Sequence, residues 1–227
     1  MRPPFPDSFS RRLDQLLIAA DEALRTLSGV ASSSRPAPGR EAADAGDEAS
    51  KRLSAGLMRV NHAGEICAQA LYSGQALFAR NPAVREALNA AAAEERDHLA
   101  WCRERLRELD SRPSYLDPLW YAGSFALGVT SGLAGDRWSL GFLTETEAQV
   151  EQHLDGHLNR MPPGDQRSRT ILEQMRDDER RHGQSGRALG GTELPLPVKL
   201  AMRAFSRVMT RTAYWVYVSL RGSRCPS

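Results

Sequence analysis

Scarcely any run of this chain alternates apolar and polar residues with a period of two, so no sheet is expected; regular apolar spacing is helical instead. Leu13, Leu16, Leu17, Ala20, Leu24 and Leu27 recur at helical spacing and predict a short amphipathic helix within residues 1–27. Residues 28–50 lose that pattern and are rich in Ala, Ser, Pro, Gly and acids, a composition that reads as a flexible linker. In the middle of the chain Ala, Leu, Glu and Arg dominate, as helices prefer. Turn residues divide this part, residues 51–221, into long helices. The first is expected over 53–78, before Asn81-Pro82, and the second over 82–109, before Pro113 and Pro118. The third is expected over 139–160, before Met161-Pro162-Pro163-Gly164, and the fourth over 165–189, closing at Gly190-Gly191.

Two segments are apolar in a different way. Residues 119–134 carry no charge and include Trp120, Tyr121, Phe125, Leu127 and Leu133. The stretch is shorter than the roughly 20 apolar residues of a membrane-spanning helix. It is either a buried crossover between two helical hairpins or a hydrophobic surface that meets lipid. In residues 194–220, Lys199, Arg203, Arg207 and Arg211 recur every four residues beside Leu200, Met202, Phe205, Val208, Met209, Trp215 and Val216. A basic, aromatic-bearing amphipathic helix is suited to the interface of an anionic membrane. Both segments are therefore expected to associate with a membrane surface.

Composition narrows the picture. At 227 residues the chain fits one domain with appendages. A formal net charge of +2 argues against general nucleic-acid binding. Cys67, Cys102 and Cys225 are odd in number and widely spaced, which points to a reducing compartment and no disulfide framework. No apolar run follows the first basic residues, so a secretory signal is not expected. Arg2, Arg11, Arg12 and Arg25 would suit a transit peptide, but Asp7, Asp14, Asp21 and Glu22 argue against one.

The chemistry lies in a pattern that occurs twice. Glu65 is followed 30 residues later by Glu95-x-x-His98, and Glu147 is followed 32 residues later by Glu179-x-x-His182. Residues three apart share a helix face, so each Glu-x-x-His aims both side chains at one point. The upstream Glu would come from the preceding helix of the same hairpin. Two packed hairpins then supply four carboxylates and two imidazoles to the core of a four-helix bundle, the ligand set for two metal ions. The donors suit iron or manganese. Calcium and magnesium sites rarely use His, and structural zinc usually takes Cys. By position, Glu95 and Glu179 would bridge the ions, Glu65 and Glu147 would be terminal, and His98 and His182 would serve one ion each. One Glu-x-x-His alone is usually a solvated surface pair; two copies with matched upstream acids are not. Glu94 and Asp178, four before each His, are the competing candidates.

The run Arg59-Val60-Asn61-His62-Ala63-Gly64-Glu65 resembles the first-helix motif of the demethoxyubiquinone hydroxylases of ubiquinone biosynthesis. Glu95, His98, Glu147, Glu179 and His182 match that family's remaining iron ligands, and the resemblance covers residues 52–220. The acidic, Pro-bearing N-terminal extension lies outside it and looks like a bacterial form's. The resemblance implies an all-α, ferritin-like four-helix bundle with a long apolar crossover and an added amphipathic C-terminal helix. It implies a di-iron monooxygenase that hydroxylates the ring of a polyprenyl demethoxy-benzoquinol (2-polyprenyl-3-methyl-6-methoxy-1,4-benzoquinol) with molecular oxygen. Electrons would come from NADH, although no Rossmann-type Gly-rich loop is present, or from a separate reductase. Other ubiquinone-biosynthesis proteins are expected partners. An isoprenoid tail partitions into lipid, so the expected place is the cytoplasmic face of a bacterial cell membrane, held peripherally.

The family often carries a His at the position of His153, six residues after Glu147 and about 120° away from its direction on the helix. It would relay protons or hydrogen-bond a ligand, as against being an ordinary surface His; His157 is a weaker candidate. His62, three before Glu65, is expected to support that carboxylate. Asn61 and Gly64 are expected to serve helix packing, and Cys67 and Cys102 to be buried small residues. Competing functions are a ferritin-like iron oxidase, a rubrerythrin-like peroxidase, which usually adds a Cys-rich site absent here, and a non-enzymatic membrane scaffold.

Overall fold

The computed structural model describes residues 8–30, 33–44 and 46–222. Among them there are helices and no strand: α1 (Ser8–Ser28), α2 (Glu48–Phe78), α3 (Pro82–Glu108), α4 (Asp117–Leu133), α5 (Asp136–Arg160), α6 (Gln166–Ala188) and α7 (Leu196–Gly222). The chain is an all-α helical bundle. α2 packs on α3 and α5 on α6, and contacts of α3 with α6 and of α2 with α5 join the two hairpins into a four-helix core.

Local chemistry sets the helix ends. Asn81 accepts a hydrogen bond from Ala83 N at 2.9 Å, and Pro82 occupies the first turn of α3, where its missing N–H costs nothing. Asp165 caps α6 through Ser168 N at 2.9 Å. α2 starts five residues before the expected position 53, because Asp47 caps it through Ser50 N at 2.8 Å. α5 starts three residues before the expected 139. Gly135, at φ +106°, makes the sharp turn out of α4. Asp136 then accepts from Arg80 N and Asn81 N at 2.9 and 2.8 Å, tying this corner to the α2–α3 turn.

The core has three layers. One apolar layer holds Leu57, Met58, Trp101, Leu106, Leu154 and Ile171. Another holds Leu71, Tyr72, Leu88, Leu140 and Leu143. On α2, α3 and α5 the candidate ligand positions fall between residues of these two layers, so a polar layer is sealed from both ends of the bundle.

α4 is the crossover, buried on one face and apolar but exposed on the other. Its inner face lies backbone against backbone on α2. A Cβ at Gly128 would stand 2.2 Å from the Leu71 carbonyl oxygen, and one at Gly74 would stand 2.6 Å from the Phe125 oxygen. Trp120, Tyr121 and Ser124 are buried on this face, whereas Leu119, Leu127 and Leu133 are exposed on the other. Among the described residues no helix is long and apolar enough to cross a membrane.

α1 packs with a different face from the one its leucines suggest. Ala19 and Thr26 are buried and Ala23 and Leu27 lie on the core, while Leu17, Ile18 and Leu24 are exposed. The side chains of Leu13 and Leu16 lie outside the described residues. The stretch read as a linker also differs. Residues 33–44 lie across α3 and α6, with Ala37 in the core, Ala43 O accepting from Arg167 N at 3.0 Å and Asp44 paired with Arg105. The composition is poor in apolar side chains, but ion pairs and main-chain hydrogen bonds supply the anchoring instead.

Candidate metal centre

Glu65 comes from α2, Glu95 and His98 from α3, Glu147 from α5, and Glu179 and His182 from α6, and all six are buried. They form two overlapping groups. Glu65, Glu95, His98 and Glu179 present ligand atoms within 4.8 Å of one another, and so do Glu95, Glu147, Glu179 and His182. Glu95 and Glu179 belong to both groups. His98 Nδ1 lies 3.5, 3.1 and 3.2 Å from Glu65, Glu95 and Glu179. His182 Nδ1 lies 3.5, 3.6 and 3.3 Å from Glu95, Glu147 and Glu179.

The far nitrogen of each imidazole meets an acid from the opposite hairpin. His98 Nε2 is 3.0 Å from Asp178 of α6, and His182 Nε2 is 3.5 Å from Glu94 of α3. Asp178 and Glu94 thus stand behind the imidazoles rather than among the central carboxylates. The Tyr72 hydroxyl, missed in the sequence, donates to Glu147. Its signal was available: it lies seven residues after Glu65, two turns along the same helix face.

The electrostatics follow from crowding. Burial, then the charge of Glu95, push Glu65 well above the usual carboxylate range; burial and Glu179 do the same to Glu147. Burial pushes Glu95 and Glu179 the same way, but hydrogen bonds to His182 and His98 outweigh it and hold both low. Burial works against charge on the imidazoles, yet carboxylates on every side raise His98 and His182 well above their ordinary value. With no ion bound, the imidazoles therefore carry protons at neutral pH, and only deprotonated imidazole can bind metal. Binding must expel those protons, so affinity for ferrous iron is expected to rise with pH through neutrality. A pH-indicator dye in weak buffer would report the protons released; iron uptake with none released would contradict this.

Several neighbouring residues differ from expectation. His62 does not support Glu65. Its Nδ1 stands 3.2 Å from Asp117 and its Nε2 3.5 Å from Arg103 Nη2, because α4 and α3 lie on that side. At Gly64 nothing stands within 4 Å of where a Cβ would be, so it lines open space instead of a helix contact. Asn61 Oδ1 bonds His157 Nδ1 at 2.9 Å. The His153 ring lies against that of His157, 4.0 Å between centroids and tilted by 58°, and its buried Nε2 has no hydrogen-bond partner. Burial lowers His153 to about 4 and His157 to about 2, so both are neutral. Cys102 is buried and Cys67 nearly so, with burial pushing the Cys67 thiol up to about 12. Cys225 lies outside the described residues.

An apolar cavity of about 550 Å³ opens beside the cluster, between α2, α4, α5 and α7. Glu65 and His153 line it, together with Leu71, Phe142, Met202 and Phe205.

The family model for ubiquinone biosynthesis protein COQ7 matches residues 52–213, a span that includes all six clustered residues. The chain belongs to this family. It is 60% identical over 206 residues to a 3-demethoxyubiquinol 3-hydroxylase of Bordetella pertussis, covering 90% of this chain and 93% of that one. The 3-demethoxyubiquinol 3-hydroxylase of Ralstonia pickettii is 56% identical over 214 residues, covering 89% and 99%. That of Cupriavidus pinatubonensis is 60% identical over 205 residues, covering 89% and 99%. Within the family match lie the cluster, α4 and most of α7; α1 and residues 33–44 precede it.

Proposed function

We propose that the chain is a di-iron monooxygenase that hydroxylates the ring of 3-demethoxyubiquinol with molecular oxygen. The observation that carries this reading is a buried set of four carboxylates and two imidazoles whose Glu65 also lines an apolar cavity of about 550 Å³. The set fits a pair of cations: four buried carboxylates face only two imidazoles, and Glu147 Oε2 is buried with no hydrogen-bond partner. Buried charge without a partner is costly, and bound cations relieve that cost. Glu65, Glu95, His98 and Glu179 would hold one iron, and Glu95, Glu147, Glu179 and His182 the other, with Glu95 and Glu179 bridging. Bound iron supplies oxygen activation and electron transfer, which no side chain here performs.

The chain's own residues bind and orient the substrate. Leu71, Phe142, Met202 and Phe205 give the polyprenyl tail an apolar wall and exclude water from the ring's approach to Glu65. Tyr72 fixes Glu147 by donating its hydroxyl hydrogen. Neutral His153, on the cavity wall, can accept a proton from the quinol hydroxyl or return one. Electrons arrive from NADH or from a reductase.

Access is from a lipid surface. α7 contributes Pro197, Ala201 and Met202 to the cavity wall, and the same helix exposes Leu196, Leu200, Val208 and Trp215 beside Arg203, Arg207 and Arg211. α4 adds exposed Leu119, Leu127 and Leu133, of which Leu127 also lines the cavity. The protein would sit peripherally on the cytoplasmic face of a bacterial membrane, where the tail can pass from lipid into the cavity. A ferritin-like oxidase or rubrerythrin-like peroxidase has no use for such a cavity.

The test is single turnover of the ferrous protein with 3-demethoxyubiquinol and labelled oxygen. One labelled oxygen atom on the ring supports the proposal; oxidised iron with unlabelled quinol would turn the assignment to a ferroxidase.

A further inference from the structure

Residues 33–44 precede the span matched by the family, and they reach the back of one imidazole. We propose that Arg35 is a positioning residue for the metal centre: this N-terminal strap holds Asp178, and Asp178 holds His98. The inference rests on the reading of the six clustered residues as metal ligands.

The contacts form a continuous chain. Asp178 Oδ2 accepts from Arg35 Nη1 at 2.9 Å and lies 3.0 Å from His98 Nε2. Its other oxygen accepts from Gln174 at 2.8 Å and from Arg181. Arg35 is held in turn. Its Nε donates to Asp97 at 2.7 Å, and Ser33 Oγ and Ser34 N donate to the same carboxylate at 3.0 and 2.6 Å. The Arg35 carbonyl accepts from Trp101 Nε1 at 3.1 Å, and its guanidinium stands 4.8 Å from the centre of the Trp101 ring. Trp101 packs on the His98 ring at 5.3 Å. The His98 imidazole is thus braced by a carboxylate and an indole, and Arg35 touches both.

The other imidazole is braced more loosely, and Arg35 stands 3.8 Å from the acid behind it, against 2.9 Å from Asp178. His182 Nε2 is 3.5 Å from Glu94 and makes no hydrogen bond, and Glu94 is half-buried with Arg181 and Arg35 nearby. The two halves of the centre are therefore unequal. A carboxylate behind a ligating imidazole fixes its orientation and its affinity for metal. The ion on the His98 side is held more tightly, and Arg35 is the reason. Lysine cannot replace it, because one ammonium cannot fork between Asp97 and Asp178 while stacking on Trp101.

Cobalt(II) titrated into the full chain tests this, with stepwise affinities read by chelator competition and the visible absorption of bound cobalt as a second signal. Wild type is expected to bind two ions with unequal affinity. Arg35→Ala and Arg35→Lys should weaken one ion by about tenfold to a hundredfold, change the other far less because Arg35 reaches Glu94 only at 3.8 Å, and shift the cobalt spectrum. Arg40→Ala should change neither signal, since Arg40 pairs with Glu104 at 3.1 Å. Arg35→Lys keeps the charge and decides the matter should the alanine variant melt. Wild-type affinities in Arg35→Lys overturn the proposal, and so does an equal loss in Arg40→Ala, which would make the strap a mere cover. Wild type that binds no cobalt overturns the metal centre itself, a result distinct from a strap variant that binds normally.

Discussion

Replacing Glu179 with alanine is expected to abolish turnover and to remove both metal ions at once. Glu179 presents an oxygen to each of the two overlapping groups, whereas Glu65 and Glu147 each serve one. Losing a partner behind a ligand typically costs tenfold to a hundredfold in affinity or activity; losing a shared ligand is expected to exceed about a hundredfold. The fold should survive. Glu179 is one of four carboxylates buried together, and the charge of Glu95 works against its ionisation. Removing it relieves repulsion from Glu95 and a desolvation cost, which offsets the loss of the hydrogen bonds from His98 and His182 that hold Glu179 ionised. Glu65, Glu95 and Glu147 remain to face both imidazoles. Metal content and a thermal melt check both halves: under one-tenth of wild-type iron with a melting temperature near wild type is the expected pair. Two ions retained in Glu179→Ala would count against its bridging place.

Gly64→Leu is expected to block substrate while leaving the metal in place. Gly64 lines the apolar cavity next to Glu65, and nothing lies within 4 Å of where its Cβ would be. The Cβ of a leucine there has room, and the rest of the side chain projects into the path proposed for the quinol ring and its polyprenyl tail. It also replaces a mid-helix glycine, which should stabilise α2 by about 0.5–1 kcal/mol. Lost activity therefore cannot be blamed on unfolding. The expected result is a fall in kcat/KM of more than about tenfold, the scale on which an apolar pocket discriminates by size, with unchanged iron content and an equal or higher melting temperature. Full activity in this variant would show that substrate reaches the centre by another route.

The six clustered residues were legible because their spacing is a property of the helix. Glu95 with His98, and Glu179 with His182, need only a three-residue step to share a face, whatever the bundle does. Hairpin lengths then match Glu65 and Glu147 to them. What stands behind the imidazoles was not legible. Asp178 faces His98 across the bundle, not His182 on its own helix, and no single-helix argument contains that crossing. His62 failed for a related reason: sharing a helix face with Glu65 does not make them partners once α4 brings Asp117 alongside. The leucines of α1 mislead because apolar residues lie on more than one side of it, and packing chose Ala19, Ala23 and Leu27. The strap was hidden most deeply. Ser33, Ser34 and Arg35 bind acids 62 to 143 residues away, and a composition argument registers only the lack of apolar side chains.

Anomalous diffraction at the iron edge from crystals loaded with ferrous iron would test the centre most directly. The account predicts two peaks, one among Glu65, Glu95, His98 and Glu179, the other among Glu95, Glu147, Glu179 and His182. A single peak, or iron bound away from these six side chains, would contradict it.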